Sequence, residues 1–401
     1  MDTTTKTTPP SIIQRFRNSK QVFVIGSAHF VHDVYSSFFA PLLPLIIENL
    51  SLSLTQAGFL NAIRQIPAIL NPLIGYMADK VSLRYFVIFA PAITATTMSL
   101  MGIAPNYFAL AMLLLATGVS IAAFHAPAPG MIAHVASNKV GMGMSIFMAF
   151  GELARMIGPL FAVWAVSVFT FQGYYPVALF GWLTSYILYT QLKDIPVRPR
   201  PKIDLAGVLP KFVSLFLPLG TILLFQSFLL LSITTYLPTY LRTQNSSLVL
   251  AGAALSVLEF AGVGGALTSG SISDKVGRKP VLTVAIAGAS IALHLYLFLQ
   301  LNIILSFLIL IVLGFFALST TPVYLAMVQD HFPDHPSTAN GIFMAIGFLL
   351  NSLASIAIGF LGDKFGLHTT FQISAWLCLL ALPFVYLLPD TQTTTRKEKL
   401  P

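Results

Sequence analysis

The sequence predicts an all-α membrane protein of twelve transmembrane helices in two six-helix bundles, with both termini in the cytoplasm. Composition, run length and internal repetition predict it. Of 401 residues, 56% are hydrophobic and 9% charged, and the mean hydropathy is +0.81; soluble domains carry about 25% charged residues. A bilayer core takes about 20 apolar residues in helix, and twelve such runs fill the chain. They lie near 22–47, 55–78, 84–102, 107–131, 141–168, 173–191, 212–238, 249–270, 280–298, 302–328, 338–360 and 369–389. The runs are continuous, whereas barrel strands would alternate polar and apolar residues.

Residues 1–21 are polar and basic and form a tail. The apolar run behind it exceeds the 7–15 or so residues of a signal-peptide core and lacks a small-residue cleavage site, so it is expected to remain as span 1. Residues 22–191 make the first bundle. Residues 192–211, with Pro196, Pro199, Pro201 and five basic residues, make a cytoplasmic linker. Residues 212–389 make the second bundle and 390–401 a second tail. With the N-terminus inside, 18 Lys and Arg fall on cytoplasmic segments, two outside (Arg242, Lys364) and two within spans (Arg64, Arg155). That bias fixes the orientation and places the chain in the cell inner membrane. The net charge of +8 is therefore a topology signal and implies no nucleic-acid partner.

The halves repeat. Gly75-Tyr76-Met77-Ala78-Asp79-Lys80-Val81-Ser82-Leu83-Arg84 after span 2 aligns with Gly270-Ser271-Ile272-Ser273-Asp274-Lys275-Val276-Gly277-Arg278-Lys279 after span 8, about 195 residues on. The same interval carries Pro44 close to Pro238 and Pro127 to Pro322, and Ser145–Gly151 echoes Gly341–Gly347. Two bundles related in this way resemble a major facilitator transporter, which implies a substrate site between the halves near the bilayer midplane and halves that rock about it. The doubled loop resembles the hallmark of the major facilitator superfamily. Ala28-His29-Phe30-Val31-His32-Asp33-Val34-Tyr35, continuing to Pro44, with Ser53–Gly58 and Phe124-His125, is similar to the fosmidomycin-resistance transporters. That resemblance implies an antiporter exchanging a drug for protons, hence antibiotic resistance.

Ionisable groups inside spans cost about 2.5–3.5 kcal/mol each on insertion scales, so each needs a partner or a task. His29, His32 and Asp33 share one face of span 1. Asp33 with His29 is expected to exchange protons, unless the two form only a structural pair. Arg64, Glu152, Arg155 and Glu259 fall near mid-membrane and their charges sum to zero. Glu259 is the repeat counterpart of Arg64, and Arg155 on span 5 is expected to meet Glu259 on span 8 across the interface of the halves. Arg64, Arg155, His125 and His32 are the expected substrate contacts. Glu152 and Glu259 are expected to hold the arginines when the site is empty and to take up protons; the alternative is a permanent ion-pair network. Guanidinium groups bind anions such as a phosphonate bidentately. Asp79, Lys80 and Arg84, with Asp274, Lys275 and Arg278, are expected to bias the conformational equilibrium from the cytoplasmic ends. Pro127, Pro129, Pro238 and Pro322 are expected to kink their spans.

No phosphate loop, nucleophile–base pair or metal-ligand cluster with credible spacing occurs, and the single cysteine, Cys378, excludes an intramolecular disulfide. An enzyme is not expected, nor a cofactor or bound metal. The expected function is proton-coupled efflux of a small amphipathic or anionic compound by a monomer, with that compound, protons and the lipid bilayer as partners. Proton-coupled uptake of an organic anion or nutrient is the alternative, because the same residues serve either direction.

Overall fold

The computed structural model describes residues 12–78, 84–136, 140–192, 209–299, 302–332 and 336–389, and its regular elements are helical. The first half comprises α1 (Ile12–Ser36), α2 (Phe39–Leu50), α3 (Leu54–Gln65), α4 (Asn71–Ala78), α5 (Arg84–Ser99), α6 (Tyr107–His125), α7 (Ala128–Val135), α8 (Val140–Phe169) and α9 (Leu179–Leu192). The second comprises α10 (Leu209–Leu231), α11 (Leu237–Thr243), α12 (Leu248–Val276), α13 (Arg278–Phe298), α14 (Ile303–Leu318), α15 (Thr320–His331), α16 (Pro336–Leu379) and α17 (Leu382–Leu387).

Among the described residues, nine helical runs are long and apolar enough to cross a membrane, where twelve were expected. Three features make the difference. A 3-10 segment at Ile66–Leu70, with Pro67 near its start, separates α3 from α4; proline supplies no backbone N–H to continue an α-helix. The sixth run gives a helix of only 14 residues, α9. α16 is two helices that meet without a gap at a kink at Gly366 (φ 77°, ψ 156°), so the two expected spans adjoin there and count as one run.

The interruptions repeat as the sequence does. α1 stops at Ser36 and α10 at Leu231, while α6 stops at His125 and α15 starts at Thr320, an interval of about 195 residues in both cases. Pro127 and Pro238 stand at or just after such breaks, the latter behind a π-helical segment at Ser232–Tyr236. Helix starts are paired as well. Ser53 and Ser247 accept from the backbone amides of Gln56 and Leu250, and Asn106 and Asn302 from those of Ala109 and Leu305. Each side chain satisfies one of the N–H groups that a helix start leaves unpaired.

The halves meet along two helix pairs, α3 with α16 and α8 with α12, and through α2 with α11. Glycines permit the approach. A Cβ on Gly58 would stand 2.5 Å from the Ser355 carbonyl oxygen, and one on Gly359 would stand 2.2 Å from that of Leu54. Gly252 of α12 lies against Val163 of α8, where a Cβ would stand 2.7 Å from a methyl group. Around these contacts Tyr35, Phe38, Phe39, Tyr236 and Tyr240 are fully buried. At the opposite end, α7 packs on α1, α6 and α8, and α15 on α12, α13 and α16, each within its own half.

Candidate functional site

Helical spacing puts His29 and Asp33 one turn apart on α1, and the break after α6 leaves His125 at a helix end facing them. His29 is sandwiched by Phe147 and Phe124, with ring centroids 4.0 and 5.6 Å away. Its Nδ1 donates to the Phe147 carbonyl at 2.8 Å. A carbonyl only accepts, which places the ring hydrogen on Nδ1. His125 Nδ1 donates likewise to the Ile121 carbonyl at 3.0 Å. The two Nε2 atoms stand 3.3 Å apart, and Asp33 reaches them at 3.2 Å (Oδ2 to His29) and 3.4 Å (Oδ1 to His125). His32 is separate. Its ring stacks on Phe124 at 4.6 Å, is fully buried, and has no hydrogen-bond partner on either nitrogen. The expected substrate contact thus lies inside the bundle wall, because a step of one residue, about 100° round the helix, turns it away from Asp33.

Arg155 bridges the halves as expected. Its Nη2 lies 3.1 Å from Glu152 on the same helix and its Nε 3.2 Å from Glu259 on α12. The Arg155 side chain is 41% exposed, and those of Glu152 and Glu259 are 22% and 12% exposed. The expected sharing of the two glutamates between two arginines does not occur, since both carboxylates hold Arg155. Arg64 donates instead to the Ser36 carbonyl at 3.3 Å and to Asn61 Oδ1 at 2.9 Å, and its guanidinium lies 5.4 Å from the Phe39 ring centroid. Glutamate, arginine and glutamate therefore form a cluster of formal charge −1, while Arg64 keeps its positive charge among neutral partners. Asn61 also donates to Ser355 Oγ of α16 at 3.0 Å, so Arg64 too is tied to the opposite half.

Of the expected gating residues, Asp79 and Lys80 lie outside the described residues. Arg84 makes a local contact, its guanidinium 4.9 Å from the Tyr85 ring centroid. Lys275 is exposed. Arg278 joins Asp274 at 2.6 Å and Asp330 at 3.1 Å, and donates to Ser273 Oγ at 2.6 Å, all within the second half.

Sequence reasoning overlooked Asp363. Its carboxylate accepts from the backbone amides of Leu54 and Thr55, both at 2.8 Å, and from the Thr55 hydroxyl at 2.6 Å. Two unpaired amides at the start of α3 are thereby satisfied from α16, while Ser53 satisfies the third. A signal was present. Gly359-Phe360-Leu361-Gly362-Asp363-Lys364-Phe365-Gly366 has the same Gly-x-x-x-Asp-Lys-x-Gly frame as Gly270–Gly277, and the last glycine of each has positive φ, 77° at Gly366 and 101° at Gly277.

Glycine-lined faces thus join the two sets of helices, and charged side chains bridge them. The chain belongs to the Major Facilitator Superfamily, whose family model matches residues 25–355 and, in a second match, 302–401. It is 27% identical over 384 residues to the fosmidomycin resistance protein of Escherichia coli (strain K12), covering 92% of each chain. It is 26% identical over 273 residues to the multi-drug resistance efflux pump PmrA of Streptococcus pneumoniae serotype 4, covering 64% of this chain and 68% of that one. A bacterial homologue of the human lysosomal transporter Spinster, solved in an inward-facing and unoccupied conformation, shares the fold, with a TM-score of 0.79 at 13% identity over 96% of this chain and 99% of that one.

Proposed function

We propose that this transporter exports a small amphipathic or anionic compound across the inner membrane in exchange for protons, by alternating access. In this reading twelve spans form bundles at 22–191 and 212–389, the linker 192–211 and both termini are cytoplasmic, and the Asp363 end faces outward. One observation carries the reading: the charged groups within the spans bind across the two halves. Arg155 joins Glu259, and Arg64 reaches Ser355 through Asn61.

Arg64 is the better anion site, because no carboxylate lies within ion-pair distance of it among the described residues. An anionic substrate draws the guanidinium from Asn61 and so loosens the Asn61–Ser355 link. The glutamate cluster, at −1, is where a proton is taken up; neutralising Glu259 weakens its hold on Arg155 and loosens the second link. Each ligand thus acts on a contact that closes the outer side. The names of the resistance and efflux relatives support export. Proton-coupled uptake is favoured by one feature, the opposite formal charges of the two sites, which an anion and a proton would neutralise together.

Purified protein in liposomes with an imposed pH gradient separates the readings. Fosmidomycin and a panel of anionic and neutral compounds should move against the proton flux. Movement with the protons would replace export by uptake, and no movement of any compound under either gradient would refute the coupling.

A further inference from the structure

Three polar groups converge where α1 meets the end of α6, and their geometry suits more than a hydrogen-bonded cluster. With the Nδ1 hydrogens of His29 and His125 committed to backbone carbonyls, both Nε2 atoms present lone pairs towards each other and towards the Asp33 carboxylate. Electron-rich atoms face one another in a buried space, an arrangement satisfied either by a proton on one Nε2 or by a metal cation held between them. Their separations of 3.2, 3.3 and 3.4 Å exceed the 2.7–2.9 Å or so of charge-assisted hydrogen bonds. Asp33 Oδ1 is buried and has no hydrogen-bond partner. Bonds of about 2.0–2.1 Å to a tetrahedral ion put neighbouring ligand atoms about 3.3–3.4 Å apart; the two Nε2 atoms have that spacing, each faces a different Asp33 oxygen at 3.2 or 3.4 Å, and one ligand atom from each of the three residues lies within 4.8 Å of the others.

We propose that His29, Asp33 and His125 bind a divalent transition-metal ion of the zinc type. Two imidazoles and one carboxylate select such an ion over magnesium or calcium, which require more oxygen ligands. The supporting shell is already built, since ligating histidines usually donate their other N–H to a carbonyl. Phe147 and Phe124 clamp the His29 ring, and Gly151 leaves it room, because a Cβ there would stand 2.4 Å from the ring. Three protein ligands leave a fourth position for water or an anionic oxygen of a solute. The approach is from His125, whose side chain is 29% exposed against 5% for His29. Both helices belong to the first half, so the ion stays bound as the halves move.

Full-length protein freed of metal with a chelator and titrated calorimetrically with Zn²⁺ should bind one ion per chain, and Co²⁺ should give the strong visible bands of tetrahedral coordination. His29→Ala, Asp33→Asn and His125→Ala should each weaken Zn²⁺ binding by more than about tenfold, the least expected when even a supporting residue is lost. His331→Ala and His368→Ala should leave it unchanged. Thermal unfolding of the metal-free variants checks that they fold. If His29→Ala does not, Asp33→Asn and His125→Ala decide the matter, because Asn is nearly isosteric with Asp and His125 stands at a part-exposed helix end. Absence of stoichiometric binding, or binding retained in those two variants, overturns the proposal.

Discussion

Gly151 and Arg64 show what single residues contribute here and how far a sequence discloses it. The His29 ring fills the space a side chain at 151 would need. We expect Gly151→Ala to cost about 1–3 kcal/mol, the usual range for overpacking, and to abolish transport by displacing His29, as measured by thermal unfolding and vesicle uptake. Arg155 meeting Glu259 was legible beforehand, since both fall near mid-membrane on spans 5 and 8, which pack together in the fold the sequence resembles. The isolation of Arg64 was not: position along a helix gives depth in the membrane, whereas the partner depends on rotation about the axis. Arg64→Lys keeps the charge but cannot bond Asn61 and Ser36 together with a fixed fork. It should weaken anionic substrates by about tenfold, corresponding to about 1.4 kcal/mol, and neutral ones little, in binding titrations. Equal loss for both classes would show that Arg64 acts through Asn61 alone.

The same limits hold for elements. Helix breaks at His125 and Leu231 could be foreseen from nearby prolines and the repeat, but the kink at Gly366 between the last two expected spans could not be placed to the residue, because only the backbone shows that this glycine takes a positive φ. α3 shows how an element can depend on a residue more than 300 positions away. Losing a helix-start acceptor costs about 0.5–2 kcal/mol, and Asp363 supplies two such acceptances as well as the Thr55 hydroxyl contact. Asp363→Ala should therefore shift the population away from closure at this end by about tenfold, 1.4 kcal/mol. Distances between spin labels on the first turn of α3 and near residue 363 would record the shift. Asp363→Asn keeps one acceptor oxygen and should shift it less. The Arg278 pairs with Asp274 and Asp330 lie wholly within the second half. Asp274→Ala should consequently leave those distances unchanged while altering turnover, and a changed distance would disprove that separation.

At the scale of the molecule, the repetition of helix breaks about 195 residues apart was legible because the sequence itself repeats, in apolar runs and in the doubled loop. Which end is closed was not, since one sequence must serve both states and only the third Gly-x-x-x-Asp-Lys frame hinted at a clasp on the far side. The buried position of Cys378 has a further consequence. This lone cysteine is 1% exposed, with its sulfur 4.0 Å from the Ile286 carbonyl of α13. Rocking of intact halves leaves that packing untouched, whereas unravelling of the second half uncovers it. Its alkylation by a maleimide is thus a clock for internal breathing: during steady turnover the reaction should be no faster than at rest, and acceleration by substrate would mean that the halves deform as they move.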